Sequence, residues 1–315
     1  MHFADRLDEM IRIKGSPICL GLDPRFDQLP RQITESALRE HGRSARAVAE
    51  SFLAFNKALI DAVADLVPVC KPQIAFYEEY GWEGLRAYEA TVTYARLKGM
   101  LVISDAKRGD IGTTALAYAR AHLGGEYIDG KSVGFDADAL TVNPYMGRDT
   151  LEPFLEIGAP AGRGIFVLVK TSNAGSGDLQ DRLLAEKSDG HATVYEYIAQ
   201  MVHELGLKHR GDSGLSNVGA VVGATYPQQA RRLREIMPDT FFLIPGYGAQ
   251  GGSAQDAAAG FRPDGRGAIV NNSRGINFAF KQEQYSTTHG EADFAGAARA
   301  ATEKMARELK AVLGE

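Results

Sequence analysis

At 315 residues, 44% of them hydrophobic and 24% charged, the chain has ample material for a large core, and barrels of alternating strands and helices routinely exceed ~250 residues as one domain. A net charge of -5 offers no polybasic face to nucleic acid or anionic lipid, and no run approaches the roughly 18 apolar residues that span a bilayer. With no apolar signal stretch behind Met1-His2-Phe3-Ala4-Asp5-Arg6, and with Cys19 and Cys70 each inside an apolar run far from other ligand-type residues, the composition fits a cytoplasmic enzyme with buried reduced thiols, not a disulfide scaffold or zinc protein.

Phe3 to Lys14 reads as an amphipathic helix, with Phe3, Leu7, Met10 and Ile11 on one face, suited to capping the bottom of a barrel. Pro17 to Leu22 reads as a short buried strand ending in Asp23, which Pro24 biases to an extended conformation. Alone, Asp23-Pro24 is ordinary turn chemistry. After polar turn material, Val48, Phe52, Phe55, Leu59, Ile60 and Val63 mark a long helix. Leu66 to Cys70 reads as a strand delivering Lys71, which by itself is a rim lysine with a snorkelling stem. Trp82, the only tryptophan, falls in a helix from Glu78 to Lys98 and is assigned to packing.

Next comes Ile103-Ser104-Asp105-Ala106-Lys107-Arg108-Gly109-Asp110-Ile111, directly after the apolar Leu101 and Val102. Strand alternation puts Asp105 and Lys107 on one side, and Asp110 lies beyond the strand, facing either this site or a neighbouring subunit. Two carboxylates and an ammonium beside an apolar wall need partners. A helix near Thr113 to Leu123 follows, then strand Ala139 to Val142, helix Thr150 to Ile157 and strand Gly164 to Lys170 with Thr171 and Ser172 at its end. The Gly-, Ser- and Asp-rich segment from Asn173 to Gly190 interrupts the rhythm as a candidate lid. Helix Ala192 to Leu205, strand Val218 to Val222, helix Pro227 to Met237, strand Phe241 to Ile244, an Ala-rich segment, strand Gly267 to Val270 and helix Phe294 to Leu313 complete the chain.

Eight apolar runs alternating with helices describe a closed parallel (β/α)8 TIM barrel in one domain, residues 1–315. An open doubly wound sheet would want a glycine-rich first turn, which Gly21-Leu22-Asp23-Pro24-Arg25 is not. In a barrel all strand C-termini share one mouth, so Asp23, Lys71, Asp105 and Lys107 converge. Pro245-Gly246-Tyr247-Gly248-Ala249-Gln250-Gly251-Gly252 after the seventh strand and Asn271-Asn272-Ser273-Arg274-Gly275 after the eighth read as a phosphate site: glycines let backbone N–H groups approach an anion, and Arg274 pairs with its oxygens.

Lys71, the Asp105-Ala-Lys107-Arg-Gly-Asp110-Ile-Gly run and the glycine motif at 245–252 together resemble the orotidine 5'-phosphate decarboxylase family, in the family's order and over nearly the whole chain. The long interval from Asp23 to Lys71 and the Thr-Ser-Asn-Ala-Gly-Ser segment at 171–176 resemble its longer bacterial subgroup, type 2, although Ala174 stands where related members often carry proline. The resemblance implies a catalytic array of Lys71, Asp105, Lys107 and Asp110, with Asp110 and Thr114 contributed across a homodimer. It implies Asp23 at the ribose, Ser172 at the pyrimidine, and Gly246, Gly248, Gln250, Ser273 and Arg274 on the phosphate side. It implies loss of CO2 from C6 of orotidine 5'-phosphate to give UMP, without metal or organic cofactor. The carbanion lies in the ring plane where no carbonyl delocalises it, so Lys107 is expected to stabilise and then protonate it. The alternatives are a magnesium-dependent sugar-phosphate decarboxylase or synthase with a similar Asp-x-Lys-x-x-Asp core, a non-catalytic phosphate-binding barrel, and a Schiff-base aldolase using Lys71, Lys107 or Lys170.

Overall fold

The buried apolar runs form eight parallel strands: β1 (Ile18–Leu22), β2 (Val69–Pro72), β3 (Leu101–Arg108), β4 (Ala139–Val142), β5 (Gly164–Lys170), β6 (Ser216–Val222), β7 (Thr240–Ile244) and β8 (Ala268–Asn272). Each pairs with its sequence neighbours and β1 pairs with β8, which closes a (β/α)8 TIM barrel. The computed structural model describes residues 2–314 except 125, 126, 130, 189, 190, 249 and 250. Among these residues no helix is long and apolar enough to cross a membrane.

The helix Phe3–Lys14 closes the bottom of the barrel, as its spacing predicts. Phe3, Ala4 and Leu7 pack into an inner cluster with Cys19, Phe166, Phe241 and Ile269, and Phe3 meets Phe166 edge to face at 6.0 Å. Gly15, at φ +63°, ends the helix in the left-handed turn that glycine adopts without strain. Outside the strands, helix Ala45–Val63 starts at Ser44, whose hydroxyl accepts the Ala47 N–H at 3.2 Å, and buries the row Val48, Phe52, Phe55, Leu59, Ile60 and Val63. Each such side chain taken fully from water contributes about 1.5–3 kcal/mol. Phe55 stacks on Phe294 of the last helix, Phe294–Leu313, at 5.3 Å, so the helical ring closes where the strand ring does. Cys19 and Cys70 are buried free thiols.

Two local expectations are corrected. The second strand begins at Val69, because Leu66 and Val67 still donate to Val63 O in the exit turn of the preceding helix, and Lys71 therefore lies within β2. Trp82 is 72% exposed: its helix starts at Gly81, after a separate turn at Ala75–Glu78, and buries Gly84, Ala87, Tyr88, Thr91, Val92 and Ala95 instead. The candidate lid after β5 holds a 3-10 turn, Ala174–Asp178, and a strand pair of Leu183–Ser188 with His191–Thr193.

Candidate active site

The C-terminal ends of the strands open onto a cavity of about 400 Å3. Asp23 after β1, Lys71 on β2, Asp105 and Lys107 on β3, Ser172 after β5, Gly246 after β7, and Ser273 and Arg274 after β8 all line it. At its centre Asp105 bridges two ammonium groups: Lys71 Nζ donates to Oδ2 at 2.5 Å and Lys107 Nζ to Oδ1 at 2.6 Å. The Thr141 hydroxyl donates to the same Oδ1 at 3.0 Å.

Burial alone would raise the Asp105 carboxyl, but Lys71 and then Lys107 outweigh it and hold it far below the ordinary 3.8. For Lys71 burial alone would lower the ammonium, but Asp105 and then Asp23 outweigh it and it titrates well above 10.5. Asp105 and Lys71 therefore stay ionised; Lys71 is buried, and the Lys107 side chain is 44% exposed at the cavity mouth.

β3 reaches this arrangement by leaving the regular pleat. Its register against β4 slips between Ser104 and Arg108, and Lys107 sits at φ +50°, a region that residues other than glycine seldom occupy. Asp105 and Lys107 do share the site, but a bulge aims them there in place of plain alternation.

Asp23 Oδ1 is buried at the cavity edge and meets no hydrogen-bond donor among the described residues; Asn271 Oδ1 is in the same position. Both are acceptors placed for a ligand's hydroxyl or N–H groups. Leu168, Val221 and Leu243 supply an apolar wall opposite the charges. Pro245, Tyr247, Asn271, Asn272, Thr171, Asn173 and Thr141 complete the lining; Asn271 and Asn272 fall in the loop read as a phosphate site, while Thr141, Thr171 and Asn173 were given no ligand role. Their one signal was polarity at or inside strand ends otherwise built of Val, Ile and Leu.

The glycine loop takes positive φ at Gly246, Gly248 and Gly251, as a tight turn there requires. It closes on itself: Gly248 N–H donates to Gly252 O at 2.8 Å, Gly251 N–H to Gly248 O at 2.8 Å, and Gly252 N–H to Gly246 O at 3.1 Å. From the β8 side, Ser273 and Arg274 line the cavity beside this loop. Gly248 lines an adjoining cavity of about 550 Å3 that Tyr247, Asn272 and Arg274 also border. Gln250 lies outside the described residues.

Asp110 and Thr114 do not line the cavity of their own chain. Asp110 Oδ1 accepts the Ile111 N–H at 2.8 Å, and Thr114 is exposed in the first turn of helix Gly112–Leu123. Lys170 is fully buried outside the cavity, donating to Asp181 Oδ1 at 2.8 Å and Ser176 Oγ at 3.1 Å, with the Tyr226 ring 4.6 Å away. It anchors residues 176–181 and is not presented to a carbonyl substrate. Among the described residues no three His, Cys, Asp or Glu side chains group as a metal site requires.

The family model for orotidine 5'-phosphate decarboxylase / HUMPS matches residues 16–284. The chain is 46% identical over 310 residues to the orotidine 5'-phosphate decarboxylase of Rhodopirellula baltica, covering 98% of this chain and 99% of that one. It is 39% identical over 309 residues to the Clostridium acetobutylicum enzyme of the same name, again covering 98% and 99%. Its fold is similar to that of Leishmania donovani OMP decarboxylase, with a TM-score of 0.73, 33% identity and full coverage of both chains.

Proposed function

The chain belongs to the orotidine 5'-phosphate decarboxylase / HUMPS family, and from that premise we propose how its residues carry out the reaction. It is a carboxy-lyase that converts orotidine 5'-phosphate to UMP in pyrimidine biosynthesis. The phosphate binds at Arg274, Ser273 and the Gly246–Gly248 turn, with Gln250 reaching it from the same loop. The ribose hydroxyls donate to Asp23, and the pyrimidine lies against Leu168, Val221 and Leu243 with Ser172 at its polar edge. C6 then faces Lys107.

The C6–carboxylate bond breaks, CO2 leaves, and the electron pair stays on C6 in the ring plane. The Lys107 ammonium, hydrogen-bonded to Asp105, is the cation aimed at that pair, and preorganised charge of this kind is usually the largest catalytic contribution. Nζ then gives its proton to C6, and solvent restores the ammonium. Lys71 offsets the second unit of acidic charge and keeps Asp105 from turning toward the substrate carboxylate. No metal or organic cofactor enters these steps.

The active form is a cytoplasmic homodimer in which Asp110 and Thr114 complete the site of a second copy, in keeping with their position outside their own cavity. The two helices Arg31–His41 and Ala45–Val63 between Asp23 and Lys71 support membership of the longer bacterial subgroup. The whole chain acts as one barrel domain. The lid is the segment 173–190, of which residues 189 and 190 lie outside the described residues; Lys170 and Thr171 at the end of β5 tie its earlier part down through Asp181 and Gln180.

One observation carries the reading: the Lys71–Asp105–Lys107 chain shares a cavity with Arg274. Loss of orotidylate absorbance, followed with and without EDTA, tests it. Lys107→Ala is expected to abolish turnover by at least a thousandfold while UMP still binds, and ordinary turnover by that variant removes Lys107 from the mechanism.

A further inference from the structure

Three residues of β3, Asp105, Ala106 and Lys107, stand opposite the single residue Thr141 of β4, because Ser104 pairs with Leu140 and Arg108 with Val142. The strand ladder has no carbonyl for the extra N–H groups of such a bulge. The Thr141 hydroxyl receives them instead, accepting Ala106 N–H at 3.0 Å and Lys107 N–H at 2.9 Å. It donates its proton to Asp105 Oδ1 at 3.0 Å, the oxygen that also holds the Lys107 ammonium. A hydroxyl has one donor and two acceptor sites, and here all three are in use. Thr141 is buried at 1% exposure, and β-branching restricts its χ1, so the oxygen has little freedom to move.

We propose that Thr141 is the positioning residue of this active site. Its one oxygen fixes the left-handed backbone at Lys107 from the main-chain side and orients the carboxylate that grips the Lys107 ammonium from the side-chain end. A bound ligand is not required for this pinning, so the ammonium is in place before the substrate arrives. The inference rests on the reading that Lys107 acts at C6.

The comparison is Thr141→Val, which keeps the shape and removes the oxygen, against Thr141→Ser, which keeps the oxygen. Misplacing a reacting group by about 1 Å costs on the order of a hundredfold in rate. The valine variant is expected to lose about 10- to 100-fold in kcat, with UMP affinity within about threefold of the parent. Serine is expected to restore kcat to within about threefold of the parent, since its hydroxyl has the same three sites. A crystal structure of the valine variant should show residue 107 out of positive φ. Parent-like kcat in the valine variant overturns the proposal, and so does a serine variant as slow as the valine one, which would make the methyl group the feature that matters. If the valine variant does not fold, Thr141→Ala replaces it, with a Ser-to-Ala kcat ratio near one as the overturning result. Normal turnover by Lys107→Ala would defeat the underlying reading separately, whatever the backbone at residue 107 does in the Thr141 variants.

Discussion

Replacing Asp105 by asparagine removes the charge that neutralises Lys71 while leaving the shape almost unchanged. Lys71 is buried, with its side chain 7% exposed and Asp105 at 2.5 Å, so the variant strands an ammonium in the interior. Breaking a buried pair by removing one partner costs about 3–5 kcal/mol. The cost has a ceiling, because Lys71 escapes it by releasing its proton. In the parent, burial lowers this lysine and Asp105 then Asp23 raise it; with Asp105 neutral, burial prevails and its folded pKa drops below the ordinary 10.5. A group lowered in the folded state destabilises in full below its folded pKa and progressively less as pH rises toward 10.5. The parent keeps its own Lys71 contribution throughout this range, since there the folded value lies above 10.5. The gap between parent and Asp105→Asn should therefore be about 3–5 kcal/mol at pH 7 and should narrow by pH 10, because the variant's penalty relaxes while the parent's contribution stays. Urea unfolding at both pH values measures it. A gap under about 1 kcal/mol at pH 7, or one that widens at pH 10, refutes the claim that Asp105 is what keeps Lys71 charged.

Arg274→Ala should weaken UMP binding about 10- to 100-fold by calorimetry while leaving uridine binding unchanged, since only UMP carries the phosphate that a guanidinium pairs with. Equal losses for both ligands would place Arg274 away from the phosphate. His122, on helix Gly112–Leu123 and buried against Ser104 of β3, is pushed down from 6.5 to about 3, first by burial and then by Arg108, so it stays neutral when folded but charges when unfolded. The sign follows: its contribution is present above pH 6.5 and is lost as pH falls toward 3. Between pH 7 and pH 5 the parent should lose about 2 kcal/mol more stability than His122→Gln, and parallel pH profiles in urea would exclude His122 as the source.

The sequence made the helix ends legible where glycine marks them, at Gly15 after Phe3–Lys14 and at Gly314 after Phe294–Leu313. It made the strands legible because each is buried on both faces and reads as an apolar run. Lys71, Asp105, Lys107 and Arg274 were legible as charges at strand ends, which only a barrel brings together. Thr141 was not, because a threonine inside an apolar strand carries no mark of the three hydrogen bonds it makes. Trp82 was misread because its assignment rested on residue type, whereas it sits in the first turn of a helix that buries Gly84, Ala87, Tyr88, Thr91, Val92 and Ala95. The alternation argument for Lys107 reached the right cavity through the wrong geometry, since no period-2 pattern contains a bulge.

The two ends of the barrel show why Asp105 is read as chemistry when another buried aspartate is not. Asp138, just before β4, is equally enclosed, with its side chain 2% exposed. It accepts the Val102 N–H at 2.9 Å and is held by Arg6 at 2.8 Å and by Arg163. Each of those partners is itself committed to the fold: Arg6 comes from the helix plugging the barrel bottom and also donates to Gly162 O at 3.0 Å, while Arg163 also grips Asp136 at 2.6 Å. Guanidinium groups stay charged and give up no proton under ordinary conditions. Asp105 is instead bound to lysines, whose ammonium can transfer a proton, and one of them opens onto a cavity bordered by an unsatisfied acceptor at Asp23. A buried carboxylate with arginines and a backbone amide is a fastening. The same carboxylate with a solvent-reachable lysine is a means of keeping a transferable proton in one place.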